Sequence, residues 1–431
     1  MKFRSPFAFA AVAVTALALS ACSGGAPSQS DEKPDKITVL ITNSPSAGGL
    51  QASAPAFTEE TGIEVEFVDV PFDQLGTKIV LAGQSQTSTF DIAMFDQSAI
   101  ASGVPAGGLQ SLDDFIAADA AYDISDFPEA LQEYSKLDGE TYGIPLSTEP
   151  YIQFYRTDLY EQAGITPATT WAEVNENAKA VTALGSGIYG FAGPYGALGS
   201  GEPFAARLYA SGGRVLDPDT QEPVLDSDLA KRVMAEYIDL VPDSPEATIA
   251  GHGGDSAIQF TQLPIGLNVA ASGWWGTLDD PAASKAAGVL GVAGLPLATD
   301  GDFEAKTVLK GWLIGVSAQS KHQQAAWDFL SFAMSKENVQ TFIDAGAPVV
   351  GRFSTLTNTD YQEQLPYLQY LEPSIVDGSS LPTIPEWPQI QGIISQHISE
   401  IVTQGAPVDA TMDALNDAVR QALVDSGRLN P

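Results

Sequence analysis

Three short apolar segments set the architecture of this chain: ITVLIT at residues 37–42, IEVEFV at 63–68 and FDIAMF at 90–95. Each is rich in β-branched or aromatic residues, and the second alternates with a period of two, as strands do. The residues between these segments repeat with a helical period instead, and Gly62 ends the first helix. An alternation of strands and helices predicts right-handed crossovers around a parallel sheet.

Polar and aromatic residues follow each of these strands. Asn43 and Ser44 follow the first strand, Phe72 follows the second, and Asp96 and Gln97 follow the third. In parallel sheets, ligands bind beyond the carboxyl ends of the strands. We therefore expect one rim that carries amides, a hydroxyl, an aromatic ring and a carboxylate. For Asp96, a role as helix N-cap or turn former is the alternative.

The charge of the chain excludes one large class of partners. Its 431 residues include 20 Lys and Arg against 54 Asp and Glu, which gives a formal charge of −34. Such a surface repels phosphate backbones, so we expect no nucleic-acid partner. The length suggests two or three domains, and a 44% apolar content is sufficient for packed cores. With one cysteine and three histidines, we expect no disulfide scaffold, no metal and no cofactor.

The N-terminus predicts export and a lipid anchor. Residues 1–21 have a basic start, a short apolar run and small residues before Cys22, which is typical of a signal peptide. The pattern matches a bacterial lipobox, in which the Cys22 thiol takes a diacylglyceryl group and the new N-terminus is acylated after cleavage. An incidental cysteine after a cleaved signal is the alternative. Residues 22–35 are interpreted as the anchor and a flexible tether, so the protein is expected outside the cytoplasm, held at the cell membrane.

Catalytic motifs are weak. Only His252 lies in a loop where it could assist a nucleophile, and no Gly-x-Ser-x-Gly elbow accompanies it. His252 and Asp255 are too few for a metal shell, and no phosphate-binding glycine loop follows a predicted strand. The acidic pairs Asp113–Asp114 and Asp279–Asp280 leave a glycoside hydrolase open, because that chemistry needs only two carboxylates.

Two tryptophans are expected in the core. The sequence TWAE at 170–173 has the pattern of a capping box, and SKHQ at 320–323 has the same pattern. Trp171 and Trp327 then fall on the apolar faces of the two helices that follow.

Other aromatic rings lie in irregular chain beside glycine or proline. They are Trp274 and Trp275 in SGWWG, Trp312 in KGW, Tyr195 in GPYG and Trp387 in PEWP. Adjacent tryptophans in a strand face opposite sides, so one of Trp274 and Trp275 should face a cleft. Sugars present C–H faces on which a ring can stack and hydroxyls for polar side chains. A packing role for each ring is the alternative, but together the segments favour a carbohydrate ligand.

Several short motifs along the chain identify a protein family more specifically together than any of them does alone. They are FDIAMFD (90–96), GLQSLDDF (108–115), LDGETYGIP (137–145), FYRTDLYEQAGI (154–165) and AAWDFL (325–330). In combination they resemble family 1 extracellular solute-binding proteins, the carbohydrate receptors of ABC importers. The resemblance extends over nearly the whole chain after the signal.

Two further features are similar to the subgroup that takes small sugars, glycosides and polyols. One is Arg352 in APVVGR, after a Gly-x-Pro turn, and the other is the proline-rich stretch 381–388. Tyr155 and Arg156 depart from the Tyr-Asn of many members. This departure bears on the subgroup rather than on the family.

The resemblance implies a two-lobed, periplasmic-binding-protein-like α/β fold with a hinge, in which each lobe is a mostly parallel sheet flanked by helices. We expect the lobes to be built from non-contiguous chain. The expected division is residues 36–146 with 310–350 for the N-terminal lobe and 147–309 with 351–431 for the C-terminal lobe.

The resemblance also implies a binding site between the lobes. By family position, Asn43, Phe72 and Asp96 would come from the first lobe. Glu149, Tyr151 and Trp312 would lie beside the hinge. The second lobe would supply the remaining residues, which are Tyr195, Trp274, Trp275, Arg352 and Trp387.

The expected function is that of a monomeric, non-enzymatic receptor that closes on a small carbohydrate and delivers it to ABC permease subunits. Three alternatives stay open from the sequence. They are a glycosidase, a receptor for another solute such as a peptide or polyamine, and a surface adhesin.

Overall fold

The structure is a computed structural model, and it describes residues 33–249, 251 and 253–431. The predicted signal peptide, the predicted lipidation site Cys22 and the candidate catalytic residue His252 lie outside the described residues. None of the described helices has the length and apolar character needed to cross a bilayer.

The strands form two main sheets and a small hairpin. The first sheet has the order β2-β1-β3-β11-β6, the second has the order β10-β7-β9-β8, and β4 pairs with β5. The strands are β1 (Lys36–Ile41), β2 (Glu64–Asp69), β3 (Ile92–Phe95), β4 (Lys136–Leu137), β5 (Glu140–Thr141), β6 (Ile144–Pro145), β7 (Tyr151–Arg156), β8 (Tyr189–Ala192), β9 (Ile265–Ala271), β10 (Leu290–Ala293) and β11 (Leu313–Val316).

Helices cover the two sheets. Residues 272–274 form a single 3₁₀ turn between β9 and the next helix. The α-helices are α1 (Pro45–Thr61), α2 (Phe72–Ser85), α3 (Ser98–Gly103), α4 (Asp113–Ala118), α5 (Glu129–Tyr134), α6 (Thr157–Ala163), α7 (Trp171–Thr182), α8 (Gly201–Ala210), α9 (Asp228–Ile238), α10 (Glu246–Ile249), α11 (Gly253–Gln262), α12 (Trp275–Leu278), α13 (Gln323–Ala333), α14 (Val339–Asp344), α15 (Phe353–Leu356), α16 (Thr359–Gln364), α17 (Leu368–Val376), α18 (Trp387–Gln404) and α19 (Val408–Asp425).

The first sheet confirms the strand–helix alternation read from the sequence. Strand β1 pairs in parallel with both β2 and β3, as right-handed crossovers through α1 and α2 require. Helix α1 buries Leu50 and Phe57 against the sheet, and Gly62 ends it in the left-handed conformation with φ 71°. Only glycine adopts that conformation without strain, which is why the helix stops there.

The prediction of mostly parallel sheets was wrong in detail. In the first sheet β11 runs antiparallel to both β3 and β6. In the second sheet β7 is antiparallel to both β9 and β10, and only β8 and β9 are parallel. Strand β11 returns from the other lobe through the hinge, so it enters the first sheet from the opposite end and cannot be parallel to β3.

The two predicted capping boxes have different outcomes. The Thr170 hydroxyl accepts from the Glu173 N–H, and the Glu173 carboxylate accepts from the Thr170 N–H. The first capping box therefore forms. The second box is absent, because the Ser320 hydroxyl donates to Asp91 at 2.6 Å and α13 begins without a side-chain cap. Trp171 and Trp327 are both buried, as predicted.

The hinge is made of chain segments held by main-chain hydrogen bonds. The Leu146 N–H donates to the Trp312 carbonyl at 2.8 Å, and the Glu149 N–H donates to the Lys310 carbonyl at 2.7 Å. Gly311 is required here, since a Cβ at that position would lie 2.1 Å from the Ser147 carbonyl oxygen. The segment that ends at β6 and the segment that leads into β11 therefore lie side by side.

A third segment joins the hinge near residue 379. The Leu309 N–H donates to the Ser379 carbonyl, and the Ser379 N–H donates to the Thr307 carbonyl, both at 2.9 Å. Before this point, α17 packs on α5 of the first lobe; after it, α18 packs on α8 of the second lobe. Residues 352–376 thus lie on the first lobe, which corrects the prediction that the second lobe resumes at residue 351.

Candidate functional site

A cavity lies where the two lobes meet the hinge. Its walls enclose about 660 Å³, including solvent at the mouth. Side chains come from the first lobe, from the hinge segments and from α8 and α18 of the second lobe. The lining residues are Phe72, Asp96, Gln97, Ser98, Tyr134, Glu149, Glu202, Leu309, Lys310, Gly311, Trp312, Leu381, Pro382, Trp387 and Gln391.

The first-lobe wall carries a carboxylate at the end of β3. Asp96 Oδ1 accepts from the Ser98 N–H at 2.9 Å and from its hydroxyl, so this carboxylate also forms the turn before α3. Asp96 is therefore a turn former, and it also lines the cavity. Burial raises the pKa of Asp96 above its ordinary value, although the bonds from Ser98 oppose the shift.

Two aromatic rings meet beside this carboxylate. The rings of Phe72 and Trp312 have centroids 5.7 Å apart and planes at 86°, an edge-to-face contact. Phe72 is 57% exposed, so most of its ring is free to meet another molecule. The pair brings the first residue of α2 against the hinge and gives the cavity an apolar side.

Glu149 is a buried residue of the hinge, and its carboxylate lies beside the N-terminus of α1. Its Oε1 accepts from the Ser46 hydroxyl at 2.8 Å and from the Ser147 hydroxyl at 2.5 Å. The partial positive charge at the helix N-terminus favours a carboxylate in this place. Two hydroxyls therefore hold the Glu149 carboxylate in place at the wall of the cavity.

The second-lobe wall carries an ion pair. Lys310 on the hinge donates to Glu202 Oε1 at 2.5 Å, and the Tyr151 hydroxyl donates to the same oxygen at 3.1 Å. The pKa of Lys310 is raised: burial opposes the shift, but the charge of Glu202 and its hydrogen bond outweigh burial. Lys310 therefore stays a cation and fixes the Glu202 carboxylate toward the cavity.

Several hydrogen-bond acceptors in the cavity are left open by the protein's own donors. One oxygen of Asp96 and one of Glu202 take no hydrogen bond from the residues that the structure describes. The Gln97 amide nitrogen already donates to the Tyr134 carbonyl, which leaves its side-chain oxygen as an acceptor. Such a site suits a molecule with many hydroxyl or amine donors and an apolar face for the rings.

Five of the predicted binding residues are brought together in this cavity, namely Phe72, Asp96, Glu149, Trp312 and Trp387. Tyr151 lies behind them and reaches the cavity only through its bond to Glu202. Asn43 is exposed at the end of β1 and does not line the cavity. The next residue, Ser44, is the N-cap of α1.

Trp274 and Trp275 are placed differently from the prediction. Strand β9 ends at Ala271, so neither tryptophan lies in a strand. Trp274 is in the 3₁₀ turn and Trp275 begins α12, where its ring packs 6.0 Å from the Tyr367 ring. Both side chains are partly exposed, and neither lines the cavity.

Tyr195 and Arg352 have packing roles. Tyr195 is 0% exposed, with its ring 5.0 Å from that of Tyr237 in the second-lobe core. The Arg352 guanidinium donates to the carbonyls of Met334 and Tyr122 in the first lobe and is 1% exposed. These positions correct the expectation that Tyr195 and Arg352 face the cleft from the second lobe.

The sequence analysis missed several lining residues, of which Glu202 and Lys310 are the most informative. Glu202 stands alone in the first turn of α8, and Lys310 was noted only as the neighbour of Trp312. The one signal for Glu202 was its place just after the glycine-rich segment 193–201. Gln97 was expected on the rim and lines the cavity, whereas the polar residues Ser98, Tyr134 and Gln391 were missed.

Three of the four acids considered for glycoside hydrolysis accept hydrogen bonds from main-chain N–H groups. Asp113 accepts from the Thr141 N–H, Asp279 from the Gly288 N–H and Asp280 from the Ala282 N–H. Within the described residues, no cluster of His, Cys, Asp or Glu has the size of a metal site.

Comparison with known proteins gives a family match over most of the chain. Residues 43–340 match the family described as bacterial extracellular solute-binding protein. A probable amino-acid ABC transporter periplasmic-binding protein from Sinorhizobium fredii is 23% identical over 86% of this chain and 85% of its own length. The erythritol/L-threitol-binding protein of Mycolicibacterium smegmatis is 25% identical over 87% of this chain and 86% of its own.

A solved structure shares the fold. The ABC transporter solute-binding protein of Agrobacterium radiobacter K84, crystallised with ribitol, superimposes with a TM-score of 0.82 at 23% identity. The match covers 90% of this chain and 99% of that one. It confirms the predicted two-lobed α/β architecture.

Proposed function

The chain belongs to the bacterial extracellular solute-binding protein family, and from this premise we propose that it captures a small carbohydrate for import by an ABC transporter. The ligand is a sugar, glycoside or polyol that binds in the cavity between the lobes. Members of this family bind solutes rather than transform them, and they work outside the cytoplasm.

The observation that carries the proposal is the chemistry of the interlobe cavity. It combines the exposed ring of Phe72 and the ring of Trp312 with the carboxylates of Asp96 and Glu202. Carboxylates accept strong, charge-assisted hydrogen bonds from hydroxyls, and rings cover the C–H face of a sugar or polyol. A polyhydroxylated ligand satisfies both kinds of surface at once.

The comparisons support the same class of ligand. One relative is named for erythritol and L-threitol, and one structure with the same fold holds ribitol. All three compounds are linear polyols, which are rich in hydroxyl donors. A short polyol is therefore the first candidate ligand for this cavity.

Another relative is named for amino-acid transport, and the cavity argues against that ligand here. The α-carboxylate of an amino acid would need a free cation, but Lys310 is already paired with Glu202. It would also lie close to the charges of Asp96 and Glu149, and like charges at short range oppose binding. A cationic solute such as a polyamine meets no such barrier, so it remains the second candidate.

Binding is coupled to closure of the lobes about the hinge. Asp96 and Glu202 belong to different lobes, so a ligand that bonds to both is bound more tightly when the lobes are closed. By linkage, this preference shifts the population to the closed state. The closed shape is what the permease subunits of the transporter would recognise before import.

The N-terminal segment supplies the membrane attachment in this proposal. Residues 1–21 are removed as a signal peptide, Cys22 is lipidated, and residues 23–35 tether a monomeric receptor to the cell membrane. Several acyl chains hold a protein at a bilayer far more firmly than one chain does. The acidic surface then keeps the tethered receptor away from the anionic membrane.

Thermal unfolding of the purified protein against a ligand panel tests the function. The panel should contain polyols (erythritol, ribitol, mannitol), disaccharides, amino acids and spermidine. A ligand at one hundred times its Kd stabilises the protein by about 2.7 kcal/mol. We expect a shift with one or more polyols or sugars and none with amino acids. A shift with spermidine alone would identify a cation receptor, and turnover of chromogenic glycosides would identify an enzyme.

A further inference from the structure

The interlobe cavity is lined by three carboxylates and one ammonium. The carboxylates belong to Asp96, Glu149 and Glu202, and the ammonium belongs to Lys310. Among the described residues that line the cavity, Lys310 is the only cation, and it already donates to Glu202. When all four groups are ionised, the wall therefore carries two negative charges in excess.

The carboxylates outside this ion pair are held by neutral donors. Asp96 accepts from the N–H and the hydroxyl of Ser98. Glu149 accepts from the hydroxyls of Ser46 and Ser147. Neutral donors orient a carboxylate and stabilise it, but they do not cancel its charge. Both charges are therefore available to a cation that enters the cavity.

The three negative charges act on the same part of the wall. The Tyr134 hydroxyl donates to the Gly311 carbonyl at the hinge. Burial raises the pKa of Tyr134 well above its ordinary value, and the charges of Asp96, Glu202 and Glu149 add to the rise. Burial also raises the pKa of Asp96, to which the charge of Glu202 contributes further. Negative charge is thus concentrated beside the hinge, where one ammonium does not compensate for it.

Two of the open acceptors in the cavity are almost completely buried. Glu149 is 8% exposed, and its Oε2 accepts no hydrogen bond from the described residues. Gln97 is 9% exposed, and its side-chain oxygen likewise has no donor within the described part of the chain. Buried acceptors are nearly always paired, so both point to donors that come from outside the chain. Water supplies donors without charge, whereas an ammonium supplies both.

Closure of the lobes distinguishes a neutral ligand from a cationic one. Closure removes water from these carboxylates, and a charge that loses its water without meeting a counter-charge is costly. A neutral polyol replaces the hydrogen bonds of that water but supplies no counter-charge. Building on the carbohydrate function proposed above, we propose that the cavity selects a polyhydroxylated ligand with a protonated amine, an amino sugar or amino polyol, over its neutral analogue.

The remaining groups of the cavity explain why the cation should be polyhydroxylated. Ser98, Gln97 and Gln391 are neutral polar residues that suit hydroxyl groups. The rings of Phe72 and Trp312 attract both C–H faces and an ammonium. A polyamine has no hydroxyls, so it would leave the neutral polar groups without partners.

Matched pairs of ligands test the selection by calorimetry at neutral pH. Suitable pairs are D-glucosamine with D-glucose, D-galactosamine with D-galactose, and 1-amino-1-deoxy-D-sorbitol with D-sorbitol. We expect the amine of a pair to bind about tenfold more tightly or better, and added sodium chloride to reduce this preference. Equal or tighter binding of the neutral members would overturn the selection but leave the carbohydrate function standing. Binding by spermidine and by no polyhydroxylated compound would contradict both.

Two variants show whether the preference comes from the carboxylates of the cavity. In Asp96→Asn and in Glu149→Gln, the ratio of neutral to amine Kd should fall about tenfold, toward one. Asp280→Asn is the matched control. Asp280 Oδ1 also accepts from the N–H two residues along, at 2.8 Å, but Asp280 does not line the cavity, so the ratio should stay at the wild-type value. An unchanged ratio in both cavity variants would contradict the assignment.

Discussion

Lys310 and Glu202 form an ion pair between the hinge and the second lobe, with side chains 31% and 28% exposed. The Tyr151 hydroxyl donates to the same carboxylate oxygen and holds it in place. A carboxylate fixed in this way loses little side-chain entropy when its second oxygen accepts a hydrogen bond from a ligand. In the proposed function, this pair connects the position of the hinge with the binding of the ligand.

Removing the charge of Glu202 should weaken ligand binding. In Glu202→Gln the Lys310 ammonium loses its partner and the ligand loses a charge-assisted acceptor. We expect the Kd measured by calorimetry to rise by about 10- to 100-fold, the equivalent of one charged hydrogen bond. Glu222→Gln is the control, because Glu222 pairs with Arg420 away from the cavity and should leave the Kd unchanged.

The tryptophans should divide into those that bind and those that pack. Trp312→Ala removes a ring from the cavity wall, and we expect at least a tenfold loss of affinity. Trp275→Ala removes a ring that packs near Tyr367, and it should leave affinity within about twofold while lowering stability. Equal losses of affinity in both variants would show that the ligand extends beyond the cavity described above.

The hinge should not accept a side chain at residue 311. In Gly311→Ala the new Cβ would meet the Ser147 carbonyl at 2.1 Å, so the paired segments must separate. We expect the free energy of unfolding to fall by about 1–3 kcal/mol. Gly392→Ala on α18 has open space around its Cβ and should instead stabilise by about 1 kcal/mol. Denaturant unfolding of the two variants provides the comparison.

Two aspartates should influence stability with opposite dependence on pH. Burial raises the folded-state pKa of Asp96, so its contribution is most favourable below the ordinary Asp pKa and is lost as pH rises through the raised value. For Asp119, burial opposes the shift, but bonds from Ser331 and Trp327 lower the folded-state pKa. Its contribution is present above the ordinary pKa and is lost as pH falls through the lowered value.

The corresponding variants isolate these two contributions. Relative to wild type, Asp96→Asn should gain stability as pH rises from about 3.5 to 7, because it no longer carries a buried charge. Asp119→Asn should lose stability over the same range. Denaturation curves at several pH values measure both slopes, and slopes of the same sign would contradict the assigned environments.

Replacement of Cys22 should release the protein from the membrane. Cys22→Ser lacks the thiol that would take the diacylglyceryl group, so we expect the protein to leave the membrane fraction and to lose labelling by fatty acid. Ligand affinity should be unchanged, since the cavity residues lie far along the chain from Cys22. Retention in the membrane fraction would argue against lipidation at this residue.

The first lobe could be predicted from the sequence because its signals are local. Strands β1 to β3 are short apolar runs, and the helices between them have clear apolar faces and a glycine stop. The position of Asp96 followed from the end of β3. The direction of β11 could not be predicted, because it depends on which lobe the chain has just left.

The candidate site was only partly predictable, because its residues are joined by long-range packing. Glu202 has no motif of its own, and its importance arises only when the hinge brings Lys310 beside it. Arg352 shows the opposite error. An arginine after a loop suggests a contact with a ligand, but the Arg352 guanidinium is buried and donates to main-chain carbonyls. Sequence pattern reports residue type and period, whereas these roles depend on which neighbours the fold supplies.

The insertion of β11 between β3 and β6 has a consequence for biosynthesis. The chain passes through the whole second sheet before it supplies this strand. A nascent chain that has not yet reached Val316 therefore holds open strand edges on both β3 and β6. Neither lobe can be produced as one contiguous gene fragment, and cotranslational folding of the first lobe must wait until most of the protein has left the ribosome.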